Sequence, residues 1–328
     1  MGILKEQDYT LIEHLVSLNQ KQLKQVMTKF LKKRYDKVIV KKDYLVALGD
    51  IPIALVAHMD TVFKLPVSNL YYDSTKDVLW SPEGLGADDR AGVFAIIKIL
   101  QSGLRPSVIL TTDEEKGGIG ASKLAMKKCP IPGLKYMIEL DRRGQDDCVF
   151  YDCDNKDFVK YVERFGFKEQ WGSFSDISFL MDAWQICGVN LSVGYIDEHS
   201  VSETLHVKHL FNTIEKVKVM LAETDIPEFE YIEFVYAYSK LSSAFYGSTM
   251  YGQHCSHCKK LYLEYELIPV KTASGLIKYY CPDCVVSNVE WCEYCGEAFE
   301  VCGSAMEKIC KECAEKICTE KSSDNSKK

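Results

Sequence analysis

The chain has 328 residues, of which 47% are hydrophobic and 27% are charged, and this composition is ordinary for a globular protein. Its formal net charge of -7 gives no electrostatic reason to expect nucleic acid or an anionic membrane as a partner. No apolar run approaches the roughly 20 residues that cross a bilayer. Because the N-terminal residues also lack the basic-then-apolar layout of a secretory signal, we expect a cytoplasmic protein with no membrane partner.

Hydrophobic periodicity predicts two N-terminal helices, at about residues 6–18 and 21–34, followed by a hairpin of two strands that ends near Gly49. Four short apolar runs rich in β-branched residues are predicted to be strands. They are IPIALVAH, PSVILTT, LKYMIEL and VNLSVGY. Helix-like stretches separate the first three runs, and an amphipathic stretch at residues 207–223 predicts a closing helix. Strands that alternate with helices predict an α/β fold with a mixed, mostly parallel central sheet sandwiched by helices.

Side chains that can bind a metal follow each of these runs, where the strands are expected to end. The first run ends at His58, and His199 comes shortly after the fourth. The carboxylates at these positions and in the glycine-flanked loop GLGADDRAG are Asp60, Asp88, Asp89, Glu114, Glu115 and Asp141. Ligands of open α/β sheets collect beyond the carboxyl ends of the strands, so we expect these groups to converge. Imidazole together with carboxylate favours a divalent ion, with zinc as the leading candidate.

Five segments in the order AHMDTV, GLGADDRAG, EEKGGIGA, ELD and HSVSE resemble the signature segments of the co-catalytic di-zinc exopeptidases. That clan includes leucyl-type aminopeptidases, tripeptidases and glutamate carboxypeptidases. The resemblance covers about residues 45–222, and it rests on order, spacing and flanking glycines together. The interval between Asp141 and His199 is short and leaves out the lid or dimerisation domain of the carboxypeptidase-type and tripeptidase-type relatives. The chain is therefore more similar to the compact aminopeptidases.

The resemblance implies a ligand set for two zinc ions. The ligands would be His58, Asp88, Glu115, Asp141 and His199. Asp88 would bridge the two ions, and we prefer it to Asp89 because the family's bridging Asp lies two residues before a Lys, a place that Arg90 holds here. His206 is the alternative to His199. Arg90 keeps the charge of the family's Lys but not its geometry.

The resemblance also implies catalytic roles for two further carboxylates. Glu114 would be the general base, which accepts a proton from the attacking water and passes it to the leaving amine. Asp60 would orient the site from behind His58, since residues two apart in an extended chain share a face. The segment GSFSDISF, with Ser173, Ser175 and Asp176, resembles the small-residue-plus-Asp segment that lies near the substrate in this family.

These features predict a hydrolase that cleaves an amide or peptide bond, with a zinc aminopeptidase acting on a peptide substrate as the leading interpretation. Two alternatives stay open. An N-acyl amidohydrolase acting on a small metabolite would use the same site. A catalytically idle α/β scaffold would leave the chain as a binding or adaptor protein.

Ten of the 14 cysteines lie between residues 255 and 318, largely as C-x-x-C pairs. In a chain with no export signal such pairs indicate metal ligands rather than disulfides. The four pairs are Cys255 and Cys258, Cys281 and Cys284, Cys292 and Cys295, and Cys310 and Cys313. Because two pairs complete one tetrahedral site, we predict two structural zinc ions in tandem ribbons, while a cross-braced pairing of first with third and second with fourth stays open. Cys302 and Cys318 are left over.

Three segments are predicted from these patterns. The catalytic domain spans residues 1–245, the cysteine-rich zinc-ribbon domain spans 246–318, and a polar, disordered tail spans 319–328. Residues 246–328 hold ten Lys or Arg and twelve Asp or Glu, which makes a poor phosphate-binding surface. We therefore expect the ribbons to recruit a protein partner or to stabilise the chain, and we do not expect nucleic acid.

Overall fold

The structure is a computed structural model that divides the chain into two compact units, Met1–Phe234 and Val235–Lys328. Within these units it describes residues 2–172, 174–233, 252–263, 267–271, 277–281, 284–285, 289–291 and 298–300. The predicted domain boundary near residue 245 and the predicted tail at 319–328 lie outside the described residues. Among the described helices, none combines the length and the apolar character that a membrane span requires.

The first unit is an α/β structure. Its helices are α1 (Glu6–Val16), α2 (Gln20–Lys32), α3 (Ala87–Gln101), α4 (Ile119–Ala125), α5 (Lys156–Glu163), α6 (Asp176–Trp184) and α7 (Val207–Leu221). Its strands are β1 (Val38–Val40), β2 (Tyr44–Ala47), β3 (Ile51–His58), β4 (Tyr71–Asp73), β5 (Val78–Trp80), β6 (Pro106–Thr111), β7 (Tyr136–Arg142), β8 (Asp147–Val149), β9 (Lys168–Glu169), β10 (Gly188–Ser192), β11 (Tyr195–Ile196) and β12 (Thr204–His206).

Eight of these strands form the central sheet, in the order β1-β2-β6-β3-β7-β10-β8-β9. The four middle strands, β6, β3, β7 and β10, run parallel to one another. The β1–β2 hairpin joins β6 antiparallel, and β8 joins β10 antiparallel. The mixed, mostly parallel sheet predicted from the sequence is confirmed.

The middle of the sheet is covered on both faces. Every residue of β6 is buried, and β3 is buried from Ile53 to His58. Such continuous apolar runs are typical of central parallel strands, which have no solvent face. On one side α3 packs against β3 and β7, with α1 and α7 against it, while α4 and α6 pack together and α6 contacts β3 and β10.

Helix α3 lies very close to the sheet because of one glycine. A Cβ atom at Gly92 would come within 2.1 Å of the carbonyl oxygen of Leu140 in β7. Only glycine permits this approach. The helix is also buried on nearly all its faces, as expected for a helix enclosed between a sheet and other helices. The close packing fixes the position of the acidic residues at the start of α3 relative to the end of β7.

The structure adds elements that the sequence did not indicate. A second, antiparallel sheet has the order β11-β12-β5-β4, and α5, β8 and β9 lie between β7 and α6. The two N-terminal helices are slightly shorter than predicted. The side chain of Asn19 accepts a hydrogen bond from the Gln22 N–H, and the Gln22 side chain accepts one from the Asn19 N–H, so this capping box sets the start of α2.

The described part of the second unit is mainly short strands. They are β13 (Gly252–His254), β14 (Leu261–Leu263), β15 (Ile268–Lys271), β16 (Ile277–Tyr280), β17 (Val289–Trp291) and β18 (Ala298–Glu300). Strands β13 and β14 form an antiparallel pair, and the others form a sheet of order β16-β15-β18-β17. A small apolar cluster in this unit includes Leu267, Val270 and Tyr280 together with cysteines.

Candidate metal and catalytic centre

The structure brings the five predicted ligand side chains of the first unit together at the carboxyl edge of the parallel strands. His58 is the last residue of β3, Asp141 lies near the end of β7, and Glu115 follows β6. Asp88 stands at the start of α3, and His199 lies in the loop between β11 and β12. Their ligand atoms form two groups, and within each group the atoms lie within 4.8 Å of one another. The groups are His58, Asp88 and Asp141, and Asp88, Glu115 and His199.

The first group is buried. His58 Nε2 lies 2.9 Å from Asp88 Oδ1 and 3.6 Å from Asp141 Oδ1. The side chain of His58 is only 1% exposed, and those of the two acids are 10% and 7% exposed. An imidazole nitrogen and two carboxylate oxygens therefore face one another without intervening protein atoms at these distances.

The second group opens towards solvent. His199 Nε2 lies 3.1 Å from Asp88 Oδ2 and 3.0 Å from Glu115 Oε2. The Glu115 side chain is 7% exposed, whereas that of His199 is 53% exposed. Asp88 belongs to both groups and presents a different oxygen to each. A carboxylate in this position has the geometry to connect two cations.

Asp60 holds the loop that carries both glutamates. Its Oδ1 accepts a hydrogen bond from the Glu114 N–H at 3.0 Å, and its Oδ2 accepts one from the Glu115 N–H at 3.1 Å. His58 Nδ1 lies 3.4 Å from Asp60 Oδ1. One carboxylate thus orients the imidazole of β3 and the backbone after β6. Burial raises the pKa of Asp60, but interactions with His58 and with these two N–H groups outweigh this effect and lower the pKa below its usual value.

The start of α3 is fixed by two acids outside the groups. Glu203 is 1% exposed, and it accepts hydrogen bonds from the N–H groups of Gly86 (2.6 Å) and Asp88 (3.0 Å). Asp89 accepts from the N–H groups of His58 (3.2 Å) and Gly92 (2.8 Å). The peptide bond between Asp88 and Asp89 is cis. Glu203 closes the segment HSVSE, so this acid of the motif supports the Asp88 loop.

Asp141 is held by groups that sequence reasoning did not find, apart from Ser175. The Ser175 hydroxyl donates to Asp141 Oδ2 at 3.0 Å, and the Tyr195 hydroxyl donates to Oδ1 at 3.1 Å. Asn190 accepts from the Asp141 N–H at 3.0 Å and donates through Nδ2 to its carbonyl oxygen at 2.9 Å. Asp176 is buried and accepts from the Thr111 hydroxyl, while Ser173 lies outside the described residues. Polar side chains of this kind orient a ligand without contacting the ion.

Arg90, which stands where the exopeptidases that the sequence resembles have Lys, points to backbone carbonyl oxygens. Its guanidinium donates to the carbonyls of Leu15 (3.2 Å), Leu18 (2.9 Å) and Met59. The residue is 3% exposed. A guanidinium offers several donors in a fixed plane, and a lysine ammonium could not reach the same set. Arg90 therefore fastens α1 and the end of β3 to the start of α3.

The charges of the side chains in the centre favour the binding of cations. Buried carboxylates outnumber the two imidazoles, and Glu115 Oε1 is buried without a hydrogen-bond partner among the described residues. Burial lowers the pKa of His58, but the charge of Asp141 and the nearby acids raise it well above the usual value. The hydrogen bond with Asp88 raises the pKa of His199 to about 9. Histidine and carboxylate donors in two shared groups fit a pair of zinc or similar divalent ions.

The pKa values of several buried acids lie far above their ordinary range. Burial, with a smaller contribution from neighbouring acids such as Asp141, raises the pKa of Glu114 to about 9. Burial and the charge of Asp88 raise that of Glu115 to about 7, and burial raises that of Glu203 to about 7. These acids retain protons in the folded protein at a pH where the unfolded chain has released them.

We expect the chelated protein to lose stability as pH rises from about 5 to about 9. Between roughly pH 4.5 and pH 7 the folded state binds more protons than the unfolded state at Glu115 and Glu203, so the free energy of unfolding falls through this window. The raised pKa of His199 acts in the same direction from about pH 6.5 to about 9. Amide exchange in β3 and β7, measured at several pH values, checks this. Zinc-loaded protein is the control, because deprotonated ligands favour metal binding; equal protection at pH 5.5 and pH 8.5 in the chelated protein would contradict the expectation.

The remaining predicted residues fall into two sets. His206 is the N-cap of α7, and its ring stacks on that of His209 with the centroids 5.0 Å apart. Neither histidine belongs to the two ligand groups.

In the second unit, the sulfur atoms of Cys255, Cys258, Cys281 and Cys284 lie within 4.8 Å of one another. This joins the first and second pairs, as the tandem arrangement requires. The other predicted cysteine ligands, Cys292, Cys295, Cys310 and Cys313, lie outside the described residues.

Among the four clustered cysteines, Cys255 has the surroundings of a metal-binding thiolate, whereas burial and the neighbouring cysteines raise the pKa of Cys284 to about 12. The Cys281 N–H donates to Cys255 Sγ at 3.3 Å, and the sulfur atoms of Cys258 and Cys281 are 3.9 Å apart. Burial raises the pKa of Cys255, but hydrogen bonds from backbone N–H groups, chiefly that of Cys281, bring it down to about 6. A thiolate near neutral pH is the form that binds metal, so this cluster fits a structural zinc ion.

Comparison with known proteins shows which solved structures share the fold of this chain. No protein-family model and no curated protein matches the chain. Among solved structures, aminopeptidase PepT from Bacillus cereus has a TM-score of 0.55 at 15% identity, covering 66% of this chain and 97% of its own. A tripeptidase from Staphylococcus aureus has a TM-score of 0.55 at 14% identity, covering 68% and 100%. The chain shares their fold.

A third similar structure broadens this comparison. The TET aminopeptidase from a marine sediment archaeon, a member of the Thaumarchaeota, has a TM-score of 0.54 at 14% identity, covering 68% of this chain and 98% of its own. The chain thus has the fold of metallo-aminopeptidases, with buried His and Asp groups that could hold metal ions. At such low identity the likeness concerns the fold, and any activity has to be argued from the site.

Proposed function

We propose that this chain is a two-metal hydrolase that cleaves amide bonds, and specifically a zinc aminopeptidase that acts on peptides. The observation that carries the proposal is the position of Asp88, which contributes one oxygen to each of two ligand groups. Glu114 belongs to neither group, although its neighbour Glu115 does. A shared carboxylate with an unliganded carboxyl beside it fits two-metal hydrolysis, since the first could connect two ions and the second could act as the general base.

The protein side chains would divide the work between binding and proton transfer. Bound zinc ions would polarise the scissile carbonyl and make a water molecule more acidic. Glu114 would accept the proton of the attacking water and return it to the leaving amine. Burial, and then acids such as Asp141, raise the pKa of Glu114 in the metal-free protein, and the positive charge of bound ions would lower it again and leave an ionised carboxylate that can accept a proton. Asp60 would keep Glu114 in place through its backbone N–H.

The exposure of the second group supports access for a substrate. His199 is about half exposed, whereas His58 and Asp141 are buried. A substrate would therefore approach from the side of His199 and Glu115. The three similar structures are described as aminopeptidases or a tripeptidase, which favours a peptide as the substrate class.

The test compares free-amine peptides with the same peptides after N-acetylation. We expect zinc-loaded protein to release the N-terminal residue of the free-amine set, chelation to abolish this release, and added zinc to restore it. Cleavage confined to the acetylated set would instead favour an N-acyl amidohydrolase. No hydrolysis of either set by protein with a full metal content would favour an adaptor protein and would refute the proposal.

A further inference from the structure

Positive charge is concentrated in one short part of the first unit. Residues 21–42, which include nearly all of α2, strand β1 and the β1–β2 turn, hold nine Lys or Arg and one Asp. Residues 43–233 hold 19 Lys or Arg against 31 Asp or Glu, so this longer stretch is acidic. The net charge of the whole chain does not reveal the contrast. A local cluster of one sign can attract a partner of opposite charge even when the net charge of the protein does not.

Six exposed lysines of this segment form a surface that we call the basic face. Helix α2 packs against the β1–β2 hairpin, and one side of the helix, at Leu23, Met27 and Leu31, is fully buried. Its opposite side is exposed. Lys24 holds the hairpin turn against the helix by donating to two backbone carbonyl oxygens of that turn. The members of the basic face are Lys21, Lys29, Lys32, Lys33, Lys41 and Lys42.

The basic face lacks the acids that usually accompany lysines on a solvated helix. In the part of the chain that the structure describes, no carboxylate oxygen lies within 4.0 Å of any of its six amino groups. The one acid of the segment, Asp36, lies beside Arg105, with Oδ2 3.8 Å from Nη2. Helix α2 itself contains no Asp or Glu. An ordinary solvated helix face mixes both signs at spacings of three or four residues, and this face does not.

The positions of these lysines reduce the stability of α2. Lys21 lies in the first turn, where the helix dipole favours acids rather than bases. Lys29 and Lys33 are four residues apart, and like charges at this spacing on a helix repel each other. Because neither position helps the helix to form, the pattern indicates a role in binding an anionic partner that neutralises the charges.

The chemistry of the basic face favours phosphate groups over a protein or a membrane. The centres of protein–protein interfaces are rich in aromatic side chains and poor in lysine, and α2 exposes no large hydrophobic side chain. A helix that lies on a membrane inserts its apolar side into the lipid, but the apolar side of α2 is buried in the core of the first unit. Lysine amino groups neutralise the phosphates of a nucleic acid backbone without apolar contacts.

The aromatic residues of this region favour a duplex over a single strand. Single strands bind largely by stacking their bases on exposed aromatic rings. Tyr35 is 4% exposed and Tyr44 is 8% exposed, so neither ring is available for stacking. The ring of Phe30 is covered by the Arg34 guanidinium, whose carbon lies 3.8 Å from the ring centroid. Backbone phosphates, which a duplex presents on its outside, remain as the groups that this face can bind.

We propose that the basic face binds the phosphate backbone of a double-stranded nucleic acid without reading its sequence. At a rise of about 1.5 Å per residue, Lys21 and Lys32 lie about 16 Å apart along the helix axis, whereas a duplex carries one phosphate per about 1.7 Å of its axis. Several lysines can therefore each meet a phosphate. The proposal does not depend on the proposed function, because it uses no residue of the candidate metal and catalytic centre.

The experiment measures binding of the full chain to fluorescent DNA and RNA duplexes of about 20 base pairs, by anisotropy, between about 50 and about 200 mM salt. The test variant carries Lys32→Gln and Lys33→Gln. The matched control carries Lys127→Gln and Lys128→Gln, which are also adjacent and exposed and change the net charge equally. Glutamine and lysine have similar helix propensities, so α2 is expected to form in the test variant. We expect the test variant to bind at least ~ten-fold more weakly than the parent, with a salt slope lower by about 2, one for each lost phosphate contact.

Weaker duplex binding and a shallower salt slope in the test variant, but not in the control, support the proposal. Equal affinities in all three proteins, or no duplex binding by the parent at about 50 mM salt, overturn it. Phosphatidylserine vesicles and a polyglutamate peptide are the competing probes. If either binds the parent more tightly than the duplex does and depends on Lys32 and Lys33, the partner is a membrane or an acidic protein and the proposal fails.

Release of the N-terminal residue from peptides is measured in the same three proteins. It should be equal in all of them, because neither lysine pair belongs to the two ligand groups or contacts Glu114. Duplex binding without any peptide release would leave the basic face intact and refute the proposed function. Peptide release without duplex binding would do the reverse.

Discussion

Replacing Asp88 by alanine is expected to remove both catalytic metal ions at once. His58 Nε2 and His199 Nε2 each lie about 3 Å from an oxygen of Asp88, at 2.9 Å and 3.1 Å, so this carboxylate is the one donor common to the two groups. His58→Ala or His199→Ala takes a donor from one group only. The zinc content of the purified protein should therefore fall by two ions per chain in Asp88→Ala and by about one in each histidine variant. Peptidase activity in Asp88→Ala should fall by at least ~10³-fold, because metal ions supply several kcal/mol of transition-state stabilisation.

Asp89→Asn is the matched control for this measurement. Asp89 is the alternative bridging residue in the sequence, it is buried, and it contacts backbone N–H groups of His58 and Gly92. Burial raises its pKa well above the usual value, so the fold does not depend on its negative charge, and asparagine keeps the shape of the side chain and an acceptor for one of the two N–H groups. The variant should keep both ions. If Asp89→Asn lost two ions and Asp88→Ala lost none, the assignment of the bridge would have to be reversed.

The sheet and its ligand-bearing ends could be predicted because both leave a local signal. The strands that end at His58 and Thr111 are continuous apolar runs, and a run with no polar face fits only the middle of a covered sheet. The polar residues that follow such runs must lie at one edge when the strands are parallel. The C-x-x-C units also predicted sites with four sulfur atoms, but their spacing left the tandem and the cross-braced pairing open, and only the structure groups the first unit with the second.

The supports of the centre could not be predicted, because they depend on contacts between distant parts of the chain. Tyr195 lies 54 residues from Asp141, its hydrogen-bond acceptor, and Asn190 lies 49 residues from it. A tyrosine or asparagine near a strand has many ordinary roles, so nothing in the local pattern distinguishes these two. Arg90 is different. Its departure from the family's Lys was visible, but its carbonyl acceptors in α1 became apparent only from the packing of that helix.

Glu203 shows how a motif can be found and its role left open. The segment HSVSE was used to choose His199, and its last residue had no function in the prediction. In the structure Glu203 holds the N–H groups of Gly86 and Asp88, so it positions the shared carboxylate without joining either group. His199 and Glu203 therefore have separate roles in the same segment. His199 contributes a ligand atom that faces the Asp88 side chain, and Glu203 fixes the backbone of Asp88.

Replacing Glu114 by glutamine is expected to stop turnover while leaving the metal content intact. Glutamine has nearly the same shape but cannot accept a proton, and general acid–base catalysis contributes about 10²–10⁴-fold to rates. Glu114 belongs to neither ligand group, and its backbone N–H, which anchors the loop to Asp60, is unchanged by the substitution. The loss should appear in kcat, with KM little changed, because the contacts that position the peptide remain.

The control for this prediction is Glu163→Gln, the same chemical change at an exposed position near the end of α5. Zinc content, kcat and KM are measured for both variants. A Glu114→Gln protein with full zinc and near-normal kcat would mean that another group transfers the proton. A Glu114→Gln protein that lost zinc would make Glu114 a ligand, and the two glutamates would then have to exchange roles. The arrangement around Asp60 favours the first assignment, since both N–H groups are held to one carboxylate while only the Glu115 side chain reaches His199.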